Sequence, residues 1–395
     1  MSREKILEAY ENKKNTVDFY PYSVDVEVTT YCNFECRMCP HSMLKNKIAK
    51  HMDMRILDAI EPWIQNVKKV SLQGDGEPFL NPQLGKIIEY FENNGVRLST
   101  TTNLSLFDEE KAKLIQNFDT ITISCDGCEK EIFESIRQNG NFDKFCNNLQ
   151  LFMKLIKKPN IIVNCVLMRQ NISYAEKMVE FVNQYGIKNL IFSNLLTDVD
   201  LKNTQDSIEL CGGYTYECIK AAQEKAEQLG VNLIVGWNVE DNKDEKQELI
   251  PCSQIATEYT NEELTNFVKR YNDTKVIKRD TEYSAGKYHC EGVCSNLYEK
   301  TYIDVDGNVT ICCFGKTNPV GNVLEESFQH IWNGKIYSNC RKNFFDGLLP
   351  DFCVGCKFAL SVVNGANQPY DFKIIDIDDN FAKNEAFWEN RKGSE

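Results

Sequence analysis

Between Val24 and Asn238 short β-branched runs alternate with helical patterns, which restricts the chain to βα units around a parallel sheet. Strands are expected at Val24–Thr29, Lys69–Gln73, Arg97–Thr102, Thr120–Cys125, Ile161–Leu167 and Asn189–Asn194. Boundary signals separate them. Asn81-Pro82 offers a cap ahead of a first-turn proline, Asn94-Gly95 a C-terminal stop, and Ser173 a cap for the helix running to Gln184. Gly213 precedes an amphipathic stretch from Thr215 to Leu229, closed by Gly230, and Val231–Trp237 adds an edge strand. The fold class is therefore α/β, a partial (β/α)6 TIM-like barrel. Ligands of such sheets collect at the carboxyl ends of the strands, and an incomplete barrel leaves its side open to a larger substrate.

Directly after the first strand stand Cys32, Cys36 and Cys39, three thiols at C-x3-C-x2-C spacing on one short loop. Three thiolates hold three irons of a [4Fe-4S] cluster and leave the fourth iron open to chemistry, unlike the closed four-cysteine sites that mainly carry electrons. A zinc knuckle is the competing reading, with His41 near enough to be the fourth ligand, and three core cysteines are another.

The chain has 395 residues, enough for a catalytic domain and a smaller module. Residues 1–14 are charged and lack an apolar signal, and no run approaches the roughly 18 apolar residues of a membrane span. A cytoplasmic protein away from membranes is expected. The 17 cysteines, grouped at ligand spacings, then favour metal or cluster ligation over disulfides and suit a reducing, anaerobic setting. With 58 acidic and 45 basic residues the net charge is −13 and no basic block tracks a phosphate backbone, so nucleic acid is not an expected partner.

The cysteine spacing resembles the cluster loop of the radical S-adenosylmethionine (SAM) enzymes, and further segments carry the resemblance. Gln73-Gly74-Asp75-Gly76-Glu77-Pro78, ending the second strand, is similar to the family's glycine-glycine-glutamate-proline turn, which binds the SAM amino group; here Asp75 is inserted between the glycines. Ser124-Cys125-Asp126-Gly127 resembles the ending that the family places near the SAM ribose and carboxylate, with Ser124 and Asp126 on one side of the strand and Cys125 on the other. Arg137 matches an arginine that pairs with the SAM carboxylate, a task suited to a permanently charged fork, and its bland alternative is a solvated helix residue. Asn103 ends the third strand. Val166, Met168 and Leu195 are candidates for an adenine wall, although apolar residues there also read as plain core. Met38 stands where relatives carry an aromatic against the adenine, and a thioether packs on a π-face.

The C-terminal region resembles the SPASM domain or its shortened twitch form. Cys294, Gly307 and Cys312 follow C-x12-G-x4-C, and Cys353-Val354-Gly355-Cys356 closes the set after a gap. A hairpin with an Asp306-Gly307 turn, then Gly321-Asn322-Val323 and Ile331-Trp332-Asn333, also fit. No cysteine follows Cys356, so the resemblance implies one auxiliary [4Fe-4S] cluster ligated by all four cysteines, with a four-cysteine zinc site as the alternative. Cys313, Cys290 and Cys340 are spare thiols. The expected division is an N-terminal extension (1–22), the barrel (23–238), an insertion or linker covering the substrate (239–287), the auxiliary-cluster module (288–358) and a tail (359–395).

What the resemblance implies is reductive cleavage of SAM to a 5′-deoxyadenosyl radical that takes hydrogen from a substrate carbon, with an external flavodoxin- or ferredoxin-type donor. The single auxiliary cluster resembles that of dehydrogenases oxidising a sugar- or cyclitol-type alcohol to a ketone. A redox-neutral epimerase, with Cys252, Cys211 or Cys165 returning the hydrogen, and a ribosomal-peptide maturase are the alternatives. Only 31 residues precede Cys32, few for an added peptide-binding domain, so a small polar substrate is expected rather than a peptide. A noncatalytic electron-transfer or metal-binding scaffold is the reading outside enzymes. No general base is assigned.

Overall fold

The computed structural model describes residues 3–39, 42, 49–195, 205–236, 296–312 and 319–345. The expected insertion at 239–287, the tail, His41, Cys252, Cys290, Cys294, Cys313, Cys353 and Cys356 lie outside the described residues. Seven parallel strands form the frame: β1 (Ser23–Val26), β3 (Lys69–Leu72), β4 (Arg97–Thr102), β5 (Thr120–Ser124), β7 (Asn160–Leu167), β8 (Asn189–Asn194) and β9 (Asn232–Val235). Two-residue strands β2 (Glu35–Cys36) and β6 (Arg137–Gln138) form a separate antiparallel ladder. All six expected barrel strands are present, and the seventh is the edge strand that follows Gly230.

Side-chain parity decides how the sheet packs. Val24, Val26, Val70, Leu72, Leu98, Ile121, Ile123, Val163, Leu167, Leu190 and Phe192 join the helical residues Ile56, Ile60, Ile87, Phe91, Leu149, Met178 and Ala222 in one buried core. The opposite parity carries a set of half-buried polar side chains: Ser71, Gln73, Thr101, Thr122, Ser124, Asn164 and Ser193. Thr101 Oγ1 donates to Gln73 Oε1 at 2.9 Å, and Ser193 Oγ to Asn164 Oδ1 at 2.6 Å. One face is thus covered by helices and the other is a hydrogen-bonding surface.

Some local expectations shift by a residue or two. The helix Leu84–Asn93 starts after Asn81, whose Oδ1 accepts from the Gln83 N–H (2.7 Å) while its Nδ2 donates to Val28 O (2.6 Å). Gly95 supplies the positive φ (68°) of the stop. Ser173 is not the cap: it lies inside a 3-10 turn, Ile172–Tyr174, and Tyr174 precedes the helix Ala175–Gln184 without a capping side chain. The first strand is shorter than expected, because beyond Val26 the chain bends toward the cysteine loop.

The expected C-terminal hairpin is present, and its pairing with the barrel sheet is the main addition to the expected picture. Strands β10 (Lys300–Ile303) and β11 (Asn308–Thr310) meet through the Asp306-Gly307 turn, with Gly307 at φ 83°. Asp304 accepts from Asp306 N, Asn308 N and Asn308 Nδ2 at 2.8–2.9 Å. β10 pairs in parallel with β1, and β12 (Gly321–Asn322) continues outward, so one ten-stranded sheet runs β12-β11-β10-β1-β3-β4-β5-β7-β8-β9. The N-terminal segment crosses this hairpin's helices: Tyr298 donates to Lys14 O (2.6 Å), Trp332 Nε1 to Phe19 O (2.8 Å), and Asn333 bonds both ways with the Val17 backbone (2.8 Å each). Trp63 stacks on Phe328 at 4.0 Å, joining a barrel helix to the C-terminal module. No helix among the described residues is long and apolar enough to cross a membrane.

Candidate cluster and SAM site

The cysteine loop leaves β1 at the carboxyl end of the sheet and is tied down from three directions. Cys36 pairs with Arg137 in the β2–β6 ladder. Asn33, between the first two cysteines, donates to Ser105 Oγ (2.8 Å) and accepts from Asn103 Nδ2 (3.1 Å). Arg37 binds Asp206 with two nitrogens, Nε to Oδ2 at 2.5 Å and Nη2 to Oδ1 at 2.9 Å, and Gln170 Nε2 also donates to Asp206 Oδ1.

Cys32, Cys36 and Cys39 are free thiols. Burial raises the Cys32 thiol and pushes Cys36 up to about 11, with Arg137 pulling the latter back. No three His, Cys, Asp or Glu side chains among the described residues converge on one metal-ion position. Ligands of a [4Fe-4S] cluster have no such need, since each takes its own iron. Both thiols must lose protons to ligate, so loading releases protons.

Around the loop the expected SAM residues fall into two groups. Met38 and Val166 pack on a small buried cluster of Ile136, Met168 and Leu195, at the ends of β7 and β8 and apart from the main core. This is an apolar wall beside the third cysteine. The second group is polar and engaged with the protein. The Glu77 carboxylate, 3% exposed, accepts from Asn103 N (2.7 Å), Thr102 Oγ1 (2.8 Å) and Phe79 N (3.3 Å), and burial raises it to about 7 despite those donors. Asn103 N and Oδ1 are both used, the latter by the Ser105 N–H and hydroxyl. Asp126 Oδ1 accepts from Val166 N (2.7 Å), and Asp126 Oδ2 lies 2.7 Å from Arg137 Nη2, with both side chains buried. Burial opposes the Arg137 charge, and the Asp126 carboxylate together with Cys36, Cys125 and Cys39 outweighs it. Arg137 Nη1 reaches Cys36 Sγ at 3.7 Å. Glu77, Asn103, Asp126 and Arg137 therefore form the layer that supports the loop, rather than four free side chains around a cavity. Ser124 remains half-buried on the polar face and Asp126 shares its parity, while Cys125 is fully buried and bonds Gly127 O, as the alternation requires.

The Gly74–Glu77 turn is shaped by close approach. A Cβ at Gly76 would lie 2.4 Å from Thr29 O and 2.5 Å from Tyr31 O, and one at Gly74 would meet the Glu27 side chain at 2.3 Å. Asp75 N donates to Glu27 Oε1 (2.8 Å), which seats the inserted residue on β1's extension. The turn thus lies against the two residues that lead into Cys32.

Sequence reasoning missed Asn33, Arg37, Gln170, Asp206 and Glu27. Asp25 and Glu27 did carry a signal, two acids alternating with Val24, Val26 and Val28, which marks a strand with one polar face. Two thiols considered as hydrogen donors do not fit that role. Cys211 is in a disulfide, and Cys165 is fully buried on the helix-covered face of β7.

These features define a class: an open α/β barrel with a three-thiol cluster loop at the strand ends, an apolar wall and a supporting ionic layer. Comparison with known proteins agrees. The Radical SAM superfamily model matches residues 26–182, and a model described as an iron-sulfur cluster-binding domain, SPASM, matches residues 294–357. The chain is a member of the radical SAM superfamily with a C-terminal SPASM domain. A probable GTP 3',8-cyclase from Sulfurisphaera tokodaii is 27% identical over 168 residues, 42% of this chain and 53% of that protein. The mycofactocin maturase MftC of Mycobacterium tuberculosis is 27% identical over 197 residues, 47% of this chain and 49% of MftC. The match thus spans about half the length of these relatives. Streptococcus suis SuiB bound to SAM shares the fold, with TM-score 0.59 and 16% identity over 86% of this chain and 71% of SuiB.

The radical SAM domain binds SAM and a [4Fe-4S] cluster, and the SPASM domain binds auxiliary iron-sulfur. The residues present fit both groups of the first site: Cys32, Cys36 and Cys39 for the cluster, the Gly74–Glu77 backbone and the Met38, Val166, Met168 and Leu195 wall for SAM. When bound, they would supply one-electron reductive cleavage of SAM. The chain ties the loop down, keeps Arg137 charged beside Cys36 Sγ, and presents the polar sheet face beyond it. Of the four cysteines expected to hold the auxiliary cluster, Cys312, half-buried just past β11, is the one among the described residues.

Proposed function

We propose that this chain is a radical SAM enzyme that modifies a peptide. The observation that carries the reading is the joining of a radical SAM domain similar to that of MftC, a maturase, to a SPASM domain in one chain. SuiB, whose fold spans most of this chain, has also been solved bound to its precursor peptide SuiA. The sheet supports it further, since among the described residues its edge strands β12 and β9 have no outer partner and leave room for an extended segment. Gln73, Thr101, Thr122, Ser124, Asn164 and Ser193 offer uncharged donors and acceptors, the complement of backbone amides. Oxidation of a sugar or cyclitol rests on the auxiliary ligand count and on the short segment before Cys32, and gives way to this reading. One auxiliary cluster on Cys294, Cys312, Cys353 and Cys356, and an external one-electron donor, belong to the proposal.

The test is anaerobic incubation of reconstituted full-length protein with SAM, a chemical reductant and, in parallel, a panel of short peptides or a panel of polyols. Mass spectrometry follows 5′-deoxyadenosine and the peptide. A peptide mass change with 5′-deoxyadenosine above the peptide-free background is expected. Stimulation by polyols with no change in any peptide would replace the reading with small-molecule oxidation.

A further inference from the structure

Arg137 differs from every other cation near the site in what it touches. Its backbone is paired with Cys36 in the β2–β6 ladder, and Arg37 N bonds Ile136 O (2.8 Å) beside it. Its Nη1 donates to Cys36 Sγ (3.7 Å), Nη2 pairs with Asp126 (2.7 Å), and Nε is buried with no hydrogen-bond partner among the described residues, the side chain being 9% exposed. The turn that follows is tight, for a Cβ at Gly140 would lie 2.6 Å from Arg137 O. The guanidinium is therefore fixed against the sulfur by its own backbone on one side and by a carboxylate on the other.

We propose that Arg137 sets the reduction potential of the cluster held by Cys32, Cys36 and Cys39. An electron added to the cluster places part of its charge on the ligand sulfurs, and a donor to such a sulfur favours the reduced form. An arginine keeps its proton throughout, and a buried charge acts through a low local dielectric. Arg137 thus raises the potential and eases delivery of the electron. Asp126, on the far side of the fork, holds the guanidinium and partly offsets its field. Arg137 is a positioning residue in this role, acting on the cluster through Cys36. The inference rests on the cluster loop and not on the identity of the substrate.

The experiment is a redox titration followed by electron paramagnetic resonance on reconstituted full-length protein, without SAM. The relevant cluster is recognised as the one whose signal changes when SAM is added. Arg137→Gln shifts its midpoint to more negative potential, Arg137→Lys shifts it less, and Asp126→Asn, which leaves the guanidinium uncompensated, shifts it to more positive potential. The auxiliary cluster's midpoint stays put. A wild-type midpoint in Arg137→Gln together with weakened SAM binding would overturn the proposal and leave Arg137 as a SAM carboxylate contact only. Should Arg137→Gln fail to hold iron, the nearly isosteric Asp126→Asn decides, and an unchanged or more negative midpoint there overturns the proposal equally.

Discussion

Glu77 is a carboxylate closed off from water, and its three donors do not fully offset that burial. Its carboxyl is raised from 4.5 to about 7, so between those values the folded protein binds more protons than the unfolded chain. Stability from this group is present below about pH 4.5, declines as pH rises and is lost above about pH 7. Over that interval the apo protein should lose about 3 kcal/mol relative to Glu77→Gln, measured by urea unfolding at several pH values. Gly76 is constrained by space, not by φ. Gly76→Ala drives a methyl into the carbonyls of Thr29 and Tyr31, and a loss of about 2 kcal/mol is expected, read as a lowered urea midpoint with reduced iron content. Both residues were legible in the sequence as members of a turn. What was not legible is that the carboxylate turns inward to Thr102 and Asn103, because that choice depends on how β4 ends beside it.

At the scale of elements, the cysteine loop is held by contacts made across long stretches of chain. Arg37 and Asp206 are 169 residues apart in sequence, and nothing in the local pattern of either names the other. Asp206's side chain is 4% exposed and Arg37's 35%, so removal of the arginine takes both of its hydrogen bonds from a buried carboxylate that Gln170 also donates to. Arg37→Ala should cost about 3 kcal/mol, and Asp206→Asn, which keeps an acceptor for Arg37, should cost less; thermal unfolding of the apo protein checks the order. The strands themselves were readable, because β-branched runs of alternating polarity recur between helical patterns. Helix starts were less so. Ser173 had the right chemistry for a cap, yet the chain makes a 3-10 turn there and begins the helix two residues later.

For the whole molecule, the two domains expected from the sequence share one sheet and one core. The hairpin was readable from Asp306-Gly307, but its parallel pairing with β1 was not, since nothing local specifies which strand a distant edge will join. Trp332 is fully buried, bonds Phe19 O and packs on Phe328, which in turn stacks on Trp63. Trp332→Ala should therefore lower the stability of the barrel as well as the C-terminal module, by about 3–5 kcal/mol. Calorimetry should show one lowered transition; a barrel transition left at its wild-type temperature would contradict this. A chain ended at Lys287 would expose the β1 edge and should aggregate.

A ladder of backbone hydrogen bonds also has no swivel. Because β10 is laced to β1 strand against strand, the route from Cys312 to the cysteine loop is a fixed span, more like two posts set in one foundation than two arms of a clamp. The distance an electron would cross between the two sites is then set by the sheet's geometry, while the potentials at its two ends remain free to respond to what binds there.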